Sequence, residues 1–499
     1  MTRPTVTVCP LTAYQAWPLY DTLSTQHIEA ELKTALPEHT LMERAGLATA
    51  QLALAIAPHA QRIWIACGPG NNGGDGLEAA IRLQHWGKQV VVTWLGNKQN
   101  TPSDAQRAGQ RAIKAGITFA EDPPETFDLA IDALLGLGVN RAPDGTIANW
   151  LHTMQTSNVP VLCIDLPTGL CADTGEWLRS DNTHQSTSPR HTLSLLTLKP
   201  GLFTADGRDA AGQVWFDDLV STPTDKTVHS TPPVAYLQVS VHPSTQRPHN
   251  SHKGSFGELI VMGGASGMTG AAVLAGVAAL HGGAGRVYLG LLDAASRSSV
   301  TAQHPALMVR AVDTLEPKTA CVVCGCGAGD DVRAILPKVL STAAQLVLDA
   351  DALNAIASDA SLLQLVRNRT QNRRPTVLTP HPLEAARLLK CSTRDIQNNR
   401  LHSAQQLAEL TGAVVVLKGS GTVIACSGMT PVINHTGSAL LATAGTGDVL
   451  AGFIGAKMAQ GQSAFEAACH GAHAHGLIAD TWPTTGPALD AALLAASIR

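Results

Sequence analysis

At 499 residues the chain is too long for one ordinary hydrophobic core, so two or three domains are expected. Hydrophobic residues make up 44% and charged residues 15%, which excludes a disordered chain and favours α/β architecture with buried parallel strands. A formal net charge of −4, without a basic stripe, excludes a broad nucleic-acid footprint. The ten cysteines are scattered through apolar segments such as 161–163 and 320–326, and they read as reduced thiols. The first residues, MTRPTVTVCPLTAYQAW, lack the apolar region of a secretory signal, and no apolar run is long enough to span a bilayer. A cytoplasmic protein that binds neither membrane nor nucleic acid is expected.

In chain order, residues 62–67 (RIWIAC) read as a strand, followed by a glycine-rich turn and a helix from about 76 to 86. Further strands are expected at 90–94, 129–131, 161–164 and 193–198. Residues 221–234, STPTDKTVHSTPPV, lack apolar periodicity and read as a linker, with the boundary near residue 230. The predicted division is 1–225, a linker at 226–240, and 241–499. After the linker, strands are expected at 257–262, 287–291, 320–324, 346–348, 376–378 and 414–417, with a small-residue helix at 270–282. Helices at 447–460 and 464–480 close the chain. Strands alternating with helices imply parallel sheets with crossover helices.

Three segments before the linker carry chemistry. CGPGNNGGDG at 67–76 follows a strand and opens a helix, where backbone amides and the helix terminus attract an anion. IDALLGLGVNRA at 131–142 places Asp132 at a strand end, and CIDLPTGLCADTG at 163–175 does the same for Asp165. Each aspartate alone could be a helix cap, but three such strand ends converge where open α/β sheets bind ligands. NNGGDG, DALLGLG and DLPTG, with LMERAG at 41–46 and LKPG at 198–201, resemble the motifs of the NAD(P)H-hydrate epimerase domain, in that order.

That resemblance implies a potassium ion on Asn72, Asp132 and Thr168. It implies hydrated-nucleotide binding by Asn71, Asn72, Gly73, Gly74 and Asp75, by Gly136, Leu137, Gly138, Val139, Asn140, Arg141 and Ala142, and by Asp165. Leu137 stands where the family usually has Thr, and Thr168 where it has Ser. Epimerising the carbinolamine-like C6 requires loss and return of a hydroxyl, and Asp165 is the expected catalytic carboxylate.

After the linker, TAGTGDVLAG at 443–452 sets consecutive amides beside a carboxylate at a helix start. That combination suits phosphoryl transfer to a hydroxyl, with Asp448 as the base. GTGD resembles the ribokinase-like superfamily. HKGSFG (252–257), GGAG (282–285), DADALN (349–354), LTPHP (378–382) and KGSGT (418–422) narrow the resemblance to the ADP/ATP-dependent NAD(P)H-hydrate dehydratase.

The resemblance implies adenine-nucleotide binding by Lys418, Gly419, Ser420, Gly421, Thr422 and Gly447, and contact with the hydrated nicotinamide by Ala271, Gly327, His381 and Asp448. Magnesium would accompany ADP, and a homo-oligomer is the expected assembly. Cys326 and Leu383 replace the family's usual Pro and Gly. Together the resemblances imply a Rossmann-like three-layer sandwich followed by a ribokinase-like one, repairing hydrated NADH and NADPH.

Two other readings compete. The second half could be a kinase for a small alcohol with an accessory first domain; GTGD alone does not separate these, and the epimerase-like half argues for repair. The first half could instead be a binding module without catalysis, against which Asn72, Asp132 and Asp165 speak. The CxxC at 321–324 and the histidines 470, 473 and 475 invite a metal, but their apolar setting and spacing favour packing.

Overall fold

The computed structural model describes residues 8–11, 15–97, 101–178, 188–219, 231–239 and 248–498. The boundary near residue 230 and the stretch 221–230 lie outside the described residues. Two compact units result, essentially 17–235 and 236–499.

The first unit contains β1 (Cys9–Pro10), β2 (Trp17–Leu19), α1 (Thr22–Ala35), α2 (Thr40–Ile56), β3 (Arg62–Cys67), α3 (Asn71–His85), β4 (Gln89–Trp94) and α4 (Ser103–Lys114). It continues with β5 (Thr118–Ala120), β6 (Leu129–Ala133), α5 (Gly145–Thr156), β7 (Val161–Ile164), β8 (Arg190–Leu195), α6 (Gly207–Ala211) and β9 (Gln213–Asp217). Its sheet has the order β1-β9-β8-β7-β6-β3-β4-β5 and is parallel except at the β1–β9 edge.

Alternation along β3 fills two separate cores. Ile63, Ile65 and Cys67 pack with Leu52, Leu77, Leu83 and Ala108 from α2, α3 and α4. Trp64 and Ala66 pack with Trp150, Leu151 and Met154 of α5. The chain leaves β3 in one direction through β4 and β5, then returns to β6 on the other side. That reversal opens a crevice beyond the C-terminal ends of β3 and β6, where such sheets bind ligands.

The second unit pairs Tyr236 of β10 (Ala235–Leu237) with Val432, and continues with β11 (Glu258–Gly263), α7 (Thr269–His281), β12 (Arg286–Leu291), α8 (Arg297–Gln303), β13 (Met308–Arg310) and β14 (Cys321–Cys324). Next come α9 (Val332–Thr342), β15 (Gln345–Leu348), α10 (Ala350–Ser358), α11 (Ala360–Gln371), β16 (Thr376–Leu378), α12 (Pro382–Leu389), α13 (Thr393–Asn398) and α14 (Arg400–Thr411). The chain ends with β17 (Val414–Leu417), β18 (Thr422–Ala425), β19 (Val432–Asn434), α15 (Thr446–Ala459), α16 (Ala464–Asp480) and α17 (Ala491–Ser497).

Strands run in the order β13-β12-β11-β14-β15-β16-β17-β18-β19-β10. They are parallel from β13 to β17, and β18 then pairs antiparallel with both β17 and β19. One face, with Leu259, Val261 and Val323, packs on α7, α15 and α16. The alternate residues Ile260, Met262 and Val322 are equally buried on the other face, served by α9, α10, α11 and α14. Both units are three-layer α/β sandwiches.

The structure corrects the reading of 67–76. The helix starts at Asn71, so NNGGDG forms its first turns instead of a loop before it. Glycines are tolerated there because the helix packs against the preceding loop, not because the backbone turns. The β18–β19 hairpin was not expected from the sequence, and the strand expected at 193–198 ends at Leu195.

Candidate active sites

In the first unit, three neighbouring strands deliver their ends to one place. β3 leads into α3 at Asn71, β6 carries Asp132, and Asp165 follows β7 directly. Asp132 is wholly buried and accepts hydrogen bonds from the Thr168 hydroxyl (2.7 Å), the Thr168 amide (3.0 Å) and the Leu134 amide (3.2 Å). Burial lifts its carboxyl above the ordinary range, and the Thr168 bonds pull it back.

The same turn meets Asn72, which lies 3.6 Å from where a side chain on Gly136 would begin. Asn72 is buried, and its Nδ2 has no hydrogen-bond partner among the described residues. Turned about its last bond, that amide offers an oxygen in the same place. An amide, a carboxylate and a hydroxyl form an oxygen set that fits a hard monovalent cation.

A cavity of about 1030 Å³ lies over this turn. Its walls include Asn71, Asn72, Asp75, the loop 136–142 and Asp165. Helix α3 has no side-chain cap, so its first amides are open to an anion. Gly73 and Gly74 are buried in helix packing; a Cβ at Gly73 would stand 2.0 Å from the Gly68 carbonyl oxygen, which excludes every other residue.

Two carboxylates face this cavity in different settings. Burial and the charges of Asp165 and Glu29 push the Asp75 carboxyl well above its usual value. Asp165 sits in left-handed backbone (φ 65°), and its Oδ1 receives the Lys199 ammonium and the Leu195 amide (3.1 Å).

In the second unit, Asp448 occupies the first turn of α15, whose start at Gly445 likewise has no side-chain cap. Cys326, Asp349 and Asp448 offer their polar atoms within 4.8 Å of one another. Burial and the Asp349 charge raise the Asp448 carboxyl to about 6, opposed by a bond from the Cys326 thiol and by Lys418. Lys418 Nζ holds Asp349 Oδ1 at 2.7 Å and lies 3.2 Å from where a Gly447 side chain would begin, so the KGSGT and GTGD loops meet.

The remaining expected residues gather around this centre. Gly327 (φ 56°) has no room for a side chain, because a Cβ would stand 2.8 Å from that of Ala271. Ala271 therefore joins Asp448 through Gly327 and Cys326. Thr422 closes the loop by donating to the Gly419 carbonyl (3.1 Å), Ser420 is exposed at its tip, and Gly421 is buried. His381 caps α12, its Nδ1 accepting from the Leu383 (3.1 Å) and Glu384 (3.3 Å) amides. Burial and the Lys418 charge lower the His381 imidazole, while burial raises Glu384 to about 7.

Comparison with known proteins now bears on both sites. The family model described as YjeF-related protein N-terminus matches residues 38–201, and that described as NAD(P)H-hydrate dehydratase matches 259–499. The bifunctional NAD(P)H-hydrate repair enzyme Nnr of Escherichia coli (strain K12) is 36% identical over 464 residues, covering 91% of this chain and 87% of the relative. The chain belongs to the bifunctional NAD(P)H-hydrate repair enzymes. An ADP-dependent (S)-NAD(P)H-hydrate dehydratase of Neisseria meningitidis is 42% identical over 245 residues, 48% of this chain and 81% of the relative. A solved ADP/ATP-dependent NAD(P)H-hydrate dehydratase from Bacillus subtilis, co-crystallised with ATP/Mg2+, is 29% identical, covering 50% of this chain and 90% of that one, with a TM-score of 0.44.

Within this repair enzyme, several residues at the two sites escaped the sequence reading. Lys199 and Asp349 stand inside motifs that were visible, LKPG and DADALN, but only the fold pairs them with Asp165 and Lys418. Arg400 gave no signal at all. It is buried beneath the loop 418–422, donating to the Leu417 (3.2 Å) and Lys418 (3.1 Å) carbonyls.

The histidines of α16 serve packing: His470 meets the Phe453 ring edge-on, and His475 Nε2 lies 3.0 Å from the Thr446 carbonyl oxygen at the start of α15. Burial lowers both to about 4. Cys321 and Cys324 are buried in β14, which pushes both thiols up to about 12.

Proposed function

We propose that the first unit interconverts the R and S hydrates of NADH and NADPH, and that the second dehydrates the S form with ADP. The observation that carries this reading is the meeting, in one chain, of two constellations. One is the Asn72, Asp132 and Thr168 set beside Asp165; the other is Asp448 between Cys326, Asp349 and Lys418.

In the first unit the hydrated nicotinamide would lie in the cavity, its phosphates toward the α3 terminus and the loop 136–142. Loss of the C6 hydroxyl sends the C6–O electron pair to oxygen, and the N1 lone pair forms C6=N1. A proton from the Asp165 carboxyl makes the leaving group water, and water returning to the opposite face gives a proton back. Potassium on Asn72, Asp132 and Thr168 would supply positive charge for the buried carboxylate and the substrate phosphates. Asp132 and Thr168 keep the turn beneath the cavity rigid.

In the second unit Asp448 takes the proton of the C6 hydroxyl as its oxygen attacks the terminal phosphorus of ADP. The bond from that phosphorus to the bridging oxygen breaks, and AMP leaves with the pair. Phosphate then departs from C6 with its C–O pair, and loss of a C5 proton restores the reduced ring. Lys418, Gly419, Ser420, Gly421, Thr422 and Gly447 would hold the nucleotide, with magnesium neutralising its phosphates. Ala271, Gly327 and His381 would seat the ring. The Neisseria relative's name supports ADP as the donor.

Among the described residues no helix is long and apolar enough to cross a membrane. A cytoplasmic homo-oligomer divided near 226–240 completes the reading. The test is to add purified protein and ADP to acid-hydrated NADH and follow absorbance of the reduced ring. No recovery, with phosphorylation of a small alcohol instead, would favour a kinase.

A further inference from the structure

Lys199 is completely buried, yet it stands on the wall of the cavity in the first unit. An ammonium has three donors, and all are engaged: with Asp165 Oδ1, with the Leu195 carbonyl at 2.8 Å, and with the Ser194 hydroxyl at 3.4 Å. None remains for a ligand. Asp165 Oδ1 is tied twice, by Lys199 and by the Leu195 amide at 3.1 Å, whereas Oδ2 has no partner among the described residues. The carboxylate side chain is only 13% exposed, and the residue lines the cavity. Its backbone is left-handed (φ 65°), its amide donates a hydrogen bond to the Leu193 carbonyl (2.7 Å), and the Leu166 amide donates across it to the Ile164 carbonyl (2.8 Å). A non-glycine residue keeps that conformation only where its surroundings enforce it.

We propose that Lys199 is a positioning residue for epimerisation, anchoring Asp165 Oδ1 so that Oδ2 alone meets the hydrated ring. This rests on the reading of Asp165 as the proton-transferring group. Asp75 from α3 presents a second carboxyl toward Asp165, and Glu29 and Lys33 from α1 complete the charged groups around the pair. Lys199 supplies the cation in direct contact with Asp165, and this contact fixes which carboxylate oxygen is held. Arginine does not replace lysine here, because its planar fork does not fit three acceptors at one point.

The experiment measures interconversion of the two hydrates by chromatography in the full chain, without ADP so that dehydration is silent. Lys199→Met should lower kcat by about a hundredfold, the order expected for a reacting group displaced by about 1 Å, with KM unchanged. Lys199→Gln keeps a donor for the Leu195 carbonyl and should lower kcat with KM unchanged, so the test stands even where the methionine variant does not fold. Parental kcat in these variants, with Asp165→Ala inactive, would overturn the role of Lys199 alone. A raised KM at parental kcat would overturn it in favour of binding. Full activity of Asp165→Ala would instead remove the reading on which it depends.

Discussion

Asp448 owes its chemistry to three neighbours from three different strands' ends. Burial and Asp349 hold its carboxyl near 6, high enough to accept a proton and low enough to be ionised at neutral pH. The sign follows directly: a base that protonates near 6 is lost as pH falls through that value, so the dehydration kcat should drop below about pH 6. Cys326 lowers the Asp448 carboxyl, so Cys326→Ala should move this limb upward in pH; an unmoved limb would mean the thiol does not reach Asp448 in solution. Asp448→Asn should reduce dehydration by about 10²–10⁴-fold, the usual worth of a general base, while hydrate interconversion persists. Loss of both activities in folded protein would refute that division of labour. In the first unit, Asp132→Ala should weaken epimerisation and its potassium dependence. It also leaves the Leu134 and Thr168 amides without their acceptor, which costs roughly 1–3 kcal/mol for each buried group. Denaturation and epimerisation assays, with and without potassium, check both effects.

Helix α3 shows what an element contributes beyond its residues. Its start at Asn71 brings uncapped amides to the cavity, and that start is possible only because Gly73 lies against the Gly68 carbonyl. Gly73→Ala should therefore push the helix off the end of β3, destabilising the first unit by about 1–3 kcal/mol, the range for overpacked cores. Epimerisation should fall while dehydration continues, and calorimetry together with the two assays would show it. An unchanged melting profile would mean that the helix start has room to shift. Helix α15 uses the same device with a different anchor, the Thr446 carbonyl contact from His475. In both helices the terminus is left without a side-chain cap, as a site for anions requires.

At the scale of the whole molecule, the question is why two catalysts share one chain. A phosphorylation site that presents one hydroxyl to Asp448 accepts only one C6 configuration. The fragment 235–499 should thus consume part of a mixed hydrate pool and then slow to the spontaneous rate of epimerisation. The full chain should finish in one phase, and Asp165→Ala should restore two phases. Progress curves with limiting hydrate and excess ADP decide this; complete single-phase conversion by the fragment would leave the first unit a binding module. Residues 1–225 and 235–499 should each fold when expressed alone, because each unit has its own hydrophobic core. Insoluble halves would show that each needs the other.

Much of this was legible in the residues themselves. Unbroken apolar runs such as 161–164 and 414–417 announce buried parallel strands, because a strand covered on both faces has no polar side to show. Short motifs at strand ends announce the sites, because backbone amides and carboxylates must recur at fixed local spacings to bind phosphate. Asp132, Thr168, Asp165 and Asp448 were therefore nameable in advance as candidates. Tertiary structure alone decided which distant groups complete them. Lys199 reaches Asp165 across 34 positions, Lys418 reaches Asp349 across 69, and Arg400 supports the Lys418 loop from a helix with no motif. The start of α3 at Asn71 likewise follows from packing against Gly68, which overrides the reluctance of glycines to be helical. Local spacing records local chemistry, whereas charge pairing and close packing join segments that the chain brings together only when it folds.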